Sequence, residues 1–162
     1  AAIWNVPLIQ VIENNQYAVS TPIEQSTRVP DLYKRGLALG IVSYEIDGND
    51  VLEVYKTTQI AVELCRNGQG PVLIEAKTYR HGGHHCNDPG KYMPGDKVEF
   101  YQKHDPVVVG RQYLLKKGKA PENEVAELEK QVEEEMEEAI EFALASPEPS
   151  LEEFLREAER YG

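Results

Sequence analysis

Pro7-Leu8-Ile9-Gln10-Val11-Ile12-Glu13 places four apolar residues in seven positions and runs into the amide pair Asn14-Asn15. A near-continuous apolar run closed by turn-forming residues is the pattern of a strand buried on both faces, as in a parallel sheet. Two later segments read the same way. Ser43 to Ile46 is closed by Asp47-Gly48-Asn49, and Pro71 to Tyr79 (PVLIEAKTY) runs into Arg80.

Helical patterns separate the strands. Pro30 to Leu39 ends at Gly40, with Pro30 suited to a first helical turn. Val51 to Arg66 follows Asp50, a natural N-cap, and ends at Asn67-Gly68. In that helix Val51, Val54, Tyr55, Thr58, Val62 and Cys65 recur at spacings of three and four, which predicts a buried stripe. Tyr17 to Arg28 reads as a polar loop. His81 to Pro94, with three glycines and two prolines, reads as an irregular one.

The remainder is helical: Glu99 to Lys117, then Glu122 to Ala145, then Leu151 to Arg160. The second has Val125, Leu128, Val132, Met136, Ala139, Ile140 and Ala143 on one face, and Ser146-Pro147-Glu148-Pro149 breaks it. Strand, helix, strand, helix, strand and then helices is an α/β order with a parallel sheet. Three strands are few for 162 residues, so further strands, or strands from a partner, are expected.

Composition narrows the function classes. Apolar residues are 41% and charged residues 28%, an ordinary globular balance that excludes disorder throughout. No stretch approaches the roughly 18 apolar residues of a membrane span, and no signal-peptide pattern is visible. Two cysteines cannot make a disulfide framework, so a reducing compartment is the default. The net charge is −11, which argues against nucleic-acid binding. The charge is uneven: residues 122–162 carry 15 Glu against three Lys/Arg, while residues 1–121 carry 14 Lys/Arg and 13 Asp/Glu. The chain opens Ala1-Ala2-Ile3-Trp4 without Met, which leaves open an excised piece of something longer.

In open parallel sheets, ligands bind beyond the carboxyl ends of the strands. Here those ends carry Asn14-Asn15, Asp47-Gly48-Asn49 and Arg80 with its His/Gly loop. Amide oxygens, a cation and imidazoles together point to a phosphorylated ligand with a hard metal, which takes oxygen ligands. Asp47-Gly48-Asn49 reads more simply as a tight turn into the Asp50 cap. The loop holds His81, His84, His85, Cys86 and Asp88, and three readings stay open for it. Zinc prefers His and Cys, but only His104 and Cys65 remain to complete a set. Arg80 with one His could bind an oxyanion or move protons. An exposed polar loop without a role is the third.

The series Glu13-Asn14-Asn15-Gln16-Tyr17-Ala18-Val19-Ser20-Thr21-Pro22, Asp47-Gly48-Asn49-Asp50-Val51, Gly70-Pro71-Val72-Leu73-Ile74-Glu75-Ala76-Lys77-Thr78-Tyr79-Arg80, Gly83-His84 and Asp105-Pro106 resembles the alpha subunit of thiamine-diphosphate-dependent 2-oxo acid dehydrogenases. These are the decarboxylating components of the pyruvate and branched-chain complexes, and acetoin dehydrogenase alpha subunits are similar. The resemblance runs through essentially the whole chain but covers the C-terminal half of such a subunit. It implies an α/β, partial thiamine-diphosphate-binding fold of about three parallel strands with flanking helices, followed by a C-terminal helical segment. Residues 1–95 would belong to the cofactor-binding domain and 96–162 to the helical segment.

The resemblance also implies site residues. The family's cofactor motif opens with Gly-Asp-Gly and closes with Asn-Asn, and only the closing end is found here. Asn15 and the Tyr17 carbonyl fall at Mg ligands, and Asn15, Tyr17, Ala18, Val19 and His84 fall beside the cofactor. Arg80 and His84 fall at the catalytic-loop Arg and His, the His being implicated in acyl transfer to a lipoyl group. His85 replaces a Ser that is phosphorylated in some relatives, so that switch is expected to be missing. Asn87 and Met93 also depart from the pattern, and Met93 removes an Arg that could order the loop.

The implied activity is oxidative decarboxylation of a 2-oxo acid, pyruvate foremost, with thiamine diphosphate and Mg as cofactors and acyl transfer to lipoyl groups. The implied partners are the N-terminal half of the alpha subunit, a beta subunit in a heterotetramer of two alpha and two beta, and a lipoyl-bearing acyltransferase, with no nucleic acid and no membrane. This chain alone would be inactive. The implied location is cytoplasmic, or the mitochondrial matrix in a eukaryote. The alternatives are an acetoin dehydrogenase alpha subunit and a non-enzymatic half-subunit acting as an assembly module.

Overall fold

The computed structural model describes residues 1–161. Chain contacts divide it into two compact units, Ala1–Tyr113 and a second that begins at Leu114. The first holds a three-stranded parallel sheet of β1 (Ile9–Asn14), β4 (Val42–Asp47) and β5 (Val72–Lys77) in the order β1-β5-β4. β5 is last in sequence and central in space, and for that reason Val72 to Ala76 are all buried. β1, read from its apolar run as buried on both faces, is a correction, since its edge position leaves Gln10, Val11 and Glu13 exposed. The registers run Ile9 against Val72 through Asn14 against Lys77, and Val42 against Val72 through Asp47 against Lys77. Asn14, Asp47 and Lys77 therefore stand level at one sheet edge, as expected from the polar ends of the three runs.

β5 alternates between two helical layers, as period-two side chains must. Val72, Ile74 and Ala76 join Ile46, Ala61 and Cys65 in the core beneath α3 (Val51–Arg66). Leu73, Glu75 and Lys77 face the other layer, which holds α2 (Tyr33–Ala38) and the turn before it. Gly36 allows the close approach there: a Cβ would lie 3.3 Å from the Leu73 Cβ and would push the Ser43 hydroxyl aside.

α3 begins and ends as expected. Asp50 accepts from the N–H groups of Leu52 (2.9 Å) and Glu53 (3.2 Å), and Gly68 takes the left-handed φ of 69° that stops the helix. Its buried face is in part a correction: Cys65 is in the core and Val54 packs against it as expected, but the rest of the stripe is not what the sheet buries. Thr57, Ala61 and Cys65 are buried, while Val51 and Tyr55 are about three-fifths exposed and Thr58 is also exposed. The helix has apolar residues on two faces, and the sheet accepts the one with the smaller side chains. The Cys65 thiol donates to the Gly70 carbonyl at 3.4 Å, which makes it a packing residue.

Other segments differ from expectation in detail. The polar loop after Asn15 contains a hairpin, β2 (Tyr17–Ala18) with β3 (Thr21–Pro22), and one helical turn, α1 (Ile23–Ser26). α2 starts at Tyr33 rather than Pro30. The helix expected over Glu99 to Lys117 is two helices, α4 (Gly95–Lys103) and α5 (Pro106–Lys116). Pro106 disfavours helical backbone at Asp105, whose carboxylate accepts from the Val107 N–H at 2.9 Å instead.

The second unit contains α6 (Glu122–Ala145) and α7 (Leu151–Tyr161). The α6 row Leu128, Val132, Met136 and Ile140 is more than half exposed, and Val125 is its buried member. Among the described residues no helix is long and apolar enough to cross a membrane.

Candidate functional site at the carboxyl edge of the sheet

β1 ends in a turn fixed from beneath. Asn14 is buried; its Nδ2 donates to Glu75 Oε1 at 2.6 Å and its Oδ1 accepts from the Gln16 N–H at 3.0 Å. Gln16 sits at φ 65° and its Nε2 donates to the Thr78 carbonyl (2.7 Å) and the Tyr101 hydroxyl (2.8 Å). The Thr78 hydroxyl donates to Asn15 Oδ1 in a short bond. The Arg80 N–H donates to the Asn15 carbonyl at 3.3 Å. Asn15 is thus held at side chain and backbone by the segment that follows β5.

The hairpin is tied to the same segment. Val19 lies at its tip with φ 54°, a left-handed conformation that is costly for a β-branched residue. The Val19 carbonyl accepts from Arg80 Nη2 at 2.6 Å. The same guanidinium donates through Nε to the Gly82 carbonyl at 3.0 Å and through Nη2 to the Tyr92 hydroxyl, and lies 5.6 Å from the Tyr17 ring centroid. Tyr17 meets Tyr79 edge-on at 5.8 Å, and Tyr79 stacks on Tyr101 at 4.4 Å. Burial holds the Tyr79 phenol well above its ordinary pKa.

The loop from His81 to Pro94 is built around Asp88. Its Oδ2 accepts from the His84 N–H (2.8 Å) and the Tyr92 hydroxyl (2.7 Å), and its Oδ1 from the Gly90 N–H (2.9 Å). The His84 and Gly90 amides and the Tyr92 hydroxyl hold the Asp88 carboxyl down at about 2. Gly83 is obligatory, since a Cβ would meet the Asp88 carbonyl oxygen at 2.0 Å. Met93, which stands where the resemblance implied a loop-ordering Arg, is buried. Loop order comes instead from the run Arg80–Tyr92–Asp88. His84 and His85 are exposed, their rings 6.3 Å apart. His81 Nε2 is 3.9 Å from Asp105 Oδ2.

Lys77, ending β5, pairs with Glu45 (2.8 Å) and Asp31 (3.0 Å). Burial pulls its pKa down, but the two carboxylates outweigh that and hold it above the ordinary range. Asp47 Oδ1 accepts from the Asn49 N–H at 2.9 Å, the turn expected before Asp50.

Among the described residues, no three His, Cys, Asp or Glu side chains come together to hold a metal ion. The oxygens available at the turn are of another kind, the Asn15 side-chain amide and the Tyr17 carbonyl. The ladder bond flanking this pair runs from the Ile23 N–H to the Gln16 carbonyl, so Tyr17 and Pro22 form a non-hydrogen-bonded pair and the Tyr17 carbonyl turns away from β3. Uncharged oxygens of this sort suit a hard cation that shares its shell with phosphate.

The pattern that describes the dehydrogenase E1 component matches residues 1–152. The chain belongs to the dehydrogenase E1 component family. Curated relatives agree. The pyruvate dehydrogenase E1 component subunit alpha of Rickettsia bellii is 39% identical over 94% of this chain and 47% of its own length. That of Rhizobium meliloti is 38% identical over 94% and 44%, and that of Porphyra purpurea 37% over 96% and 45%. The chain spans about half the length of these E1 relatives.

Within this E1-family chain the structure brings Asn15, Tyr17, Val19 and Arg80 together. Ala18 pairs with Thr21 in the exposed hairpin. His84 is linked to the group only through its backbone and Asp88. Sequence reasoning passed over Gln16, Thr78, Glu75 and Tyr92. A carboxylate in the middle of a buried apolar strand, Glu75, was the one readable signal among them.

Proposed function

We propose that this chain forms the diphosphate- and metal-facing part of a pyruvate dehydrogenase E1 alpha subunit. The carrying observation is the Arg80 guanidinium, which joins the Asn-Asn hairpin to the histidine loop at the carboxyl edge of the sheet. The names borne by the relatives favour pyruvate as the 2-oxo acid.

In this reading Asn15 Oδ1 and the Tyr17 carbonyl face Mg, and the backbone of Ala18 and Val19 lines the diphosphate. Thiamine diphosphate, when bound, supplies the electron sink for loss of carbon dioxide from the 2-oxo acid. Arg80 holds the hairpin and loop in register. His84, with its imidazole exposed, would give a proton to the lipoyl sulfur that leaves as a thiolate when the disulfide opens and its other sulfur bonds the acyl carbon. Residues 1–95 carry the cofactor side, and 96–162 form the helical segment.

The functional particle contains the N-terminal half of the alpha subunit and a beta subunit, two alpha with two beta, and serves a lipoyl-bearing acyltransferase in the cytoplasm or mitochondrial matrix. The test is turnover by the assembled enzyme with pyruvate, a branched-chain 2-oxo acid and acetoin in parallel. Highest kcat/KM for pyruvate is expected. A preference for acetoin would overturn the assignment.

A further inference from the structure

Glu75 is fully buried at the centre of β5, and its hydrogen-bond partners among the described residues are an amide side chain and a backbone N–H. Each carboxylate oxygen accepts one hydrogen bond. Oε1 takes the Asn14 Nδ2–H at 2.6 Å, and Oε2 takes the Tyr33 N–H at 2.8 Å. The second bond satisfies the first amide of α2, whose N-cap residue Leu32 offers no side-chain acceptor. The first bond fixes which way the Asn14 amide points, so that Oδ1 is left to accept from the Gln16 N–H. That contact closes the turn in which Gln16 adopts φ 65°, and the turn carries Asn15 on one side and Tyr17 on the other.

Burying a carboxylate is expensive unless its hydrogen bonds are complete. Glu75 contacts neither Asn15 nor Tyr17 directly. Its bonds run instead to the two elements that set the turn. We infer that Glu75 is a positioning residue, acting through Asn14 to aim the Asn15 and Tyr17 oxygens at the metal. The inference rests on the reading of those two residues as metal ligands.

Donor and acceptor parity makes the relay testable. From Tyr33 N–H to Gln16 N–H the order is donor, two acceptors on Glu75, donor and acceptor on Asn14, donor. Glu75→Gln inserts an extra donor, and no flip of either amide removes the resulting donor–donor contact. Asn14→Asp removes the donor between them and opposes two carboxylates. Glu75→Gln with Asn14→Asp restores every bond in the row, with the amide and carboxylate exchanged.

The experiment measures Mn2+ binding in place of Mg2+ by electron paramagnetic resonance, with thiamine diphosphate present, on the assembled enzyme carrying each variant. Near-ultraviolet circular dichroism checks the fold. Each single variant should raise the Mn2+ Kd about tenfold or more, the range for outer ligand supports, and the double variant should return it to within about threefold of wild type. A folded double variant that still binds weakly, or single variants that bind normally while Asn15→Ala binds weakly, would refute the positioning role. Normal binding by Asn15→Ala would instead overturn the ligand reading. If the single variants fail to fold, the folded double variant against wild type decides the question.

Discussion

Arg80 and Val19 are 61 residues apart in the chain, and Arg80 Nη2 donates a 2.6 Å hydrogen bond to the Val19 carbonyl. Val19 presents that carbonyl from a left-handed backbone, φ 54°. A side chain on one loop thus grips a strained point on another, and the strained conformation is what turns the carbonyl toward the guanidinium.

Val19→Gly should relieve the strain. A non-glycine residue in that region costs about 1–3 kcal/mol, and glycine gives back about 0.5–1 kcal/mol through its freer unfolded chain. A net gain between about 0 and 2.5 kcal/mol is expected, read as a higher urea midpoint with an unchanged m value. A lower midpoint would show that the Val19 side chain makes contacts that outweigh its backbone cost.

Tyr92→Phe removes the hydroxyl that joins Arg80 to Asp88 while leaving the ring against Tyr17. Limited proteolysis within residues 81–94 should become several-fold faster, with the thermal midpoint of the sheet little changed. Equal cleavage rates in wild type and variant would remove Tyr92 from the ordering of the loop.

The same loop has a defined acid limit. Asp88 titrates at about 2 in the folded chain and at about 3.9 in an unfolded one. A depressed carboxyl stabilises the fold fully above its unfolded value, and that contribution is lost as pH falls through the folded one. Protection of the His84 and Gly90 amides from hydrogen exchange, corrected for intrinsic rates, should be flat from pH 8 to about 5 and fall below about 4. A fall near pH 6.5 would point to a histidine instead.

Gly83→Ala drives a methyl into the Asp88 backbone oxygen, which no side-chain rotation can relieve. The loop should lose its Asp88-centred turn while the sheet persists, seen as loss of His84 amide protection at constant far-ultraviolet circular dichroism. Retained protection would mean that the loop has room to shift.

His84→Ala in the assembled enzyme should impair acylation of a lipoyl domain more than decarboxylation read with an artificial electron acceptor. Equal loss in both assays would count against a role in acyl transfer.

Much of the frame was legible: apolar runs closed by polar residues marked the three strands of the parallel sheet, and Asp50 and Gly68 marked both ends of α3. Only β5 is buried on both faces, however, while β1 and β4 lie at the edges with Val11 and Val42 exposed. The buried face of α3 was only partly legible, since Val51, Tyr55 and Val62 are as apolar as the residues that pack, and only the sheet selects Thr57 and Ala61. The hairpin at Tyr17–Pro22 escaped because Val19 holds a backbone that its residue type disfavours. Of the candidate site residues, Asn15, Tyr17, Arg80 and His84 were singled out through motif order, and the structure brings the first three together. Gln16, Thr78 and Glu75 were not singled out, because their roles exist only once β1 and β5 lie side by side.

That adjacency also sets a timetable. β5 is the strand between the other two, yet it is the last of the three to be synthesised. Until Val72–Lys77 leaves the ribosome, neither Ile9–Asn14 nor Val42–Asp47 has its neighbour in this sheet. Nascent chains stalled before Val72 therefore hold Ile9–Asn14 and Val42–Asp47 without the strand that joins them, which makes them a natural substrate for chaperones.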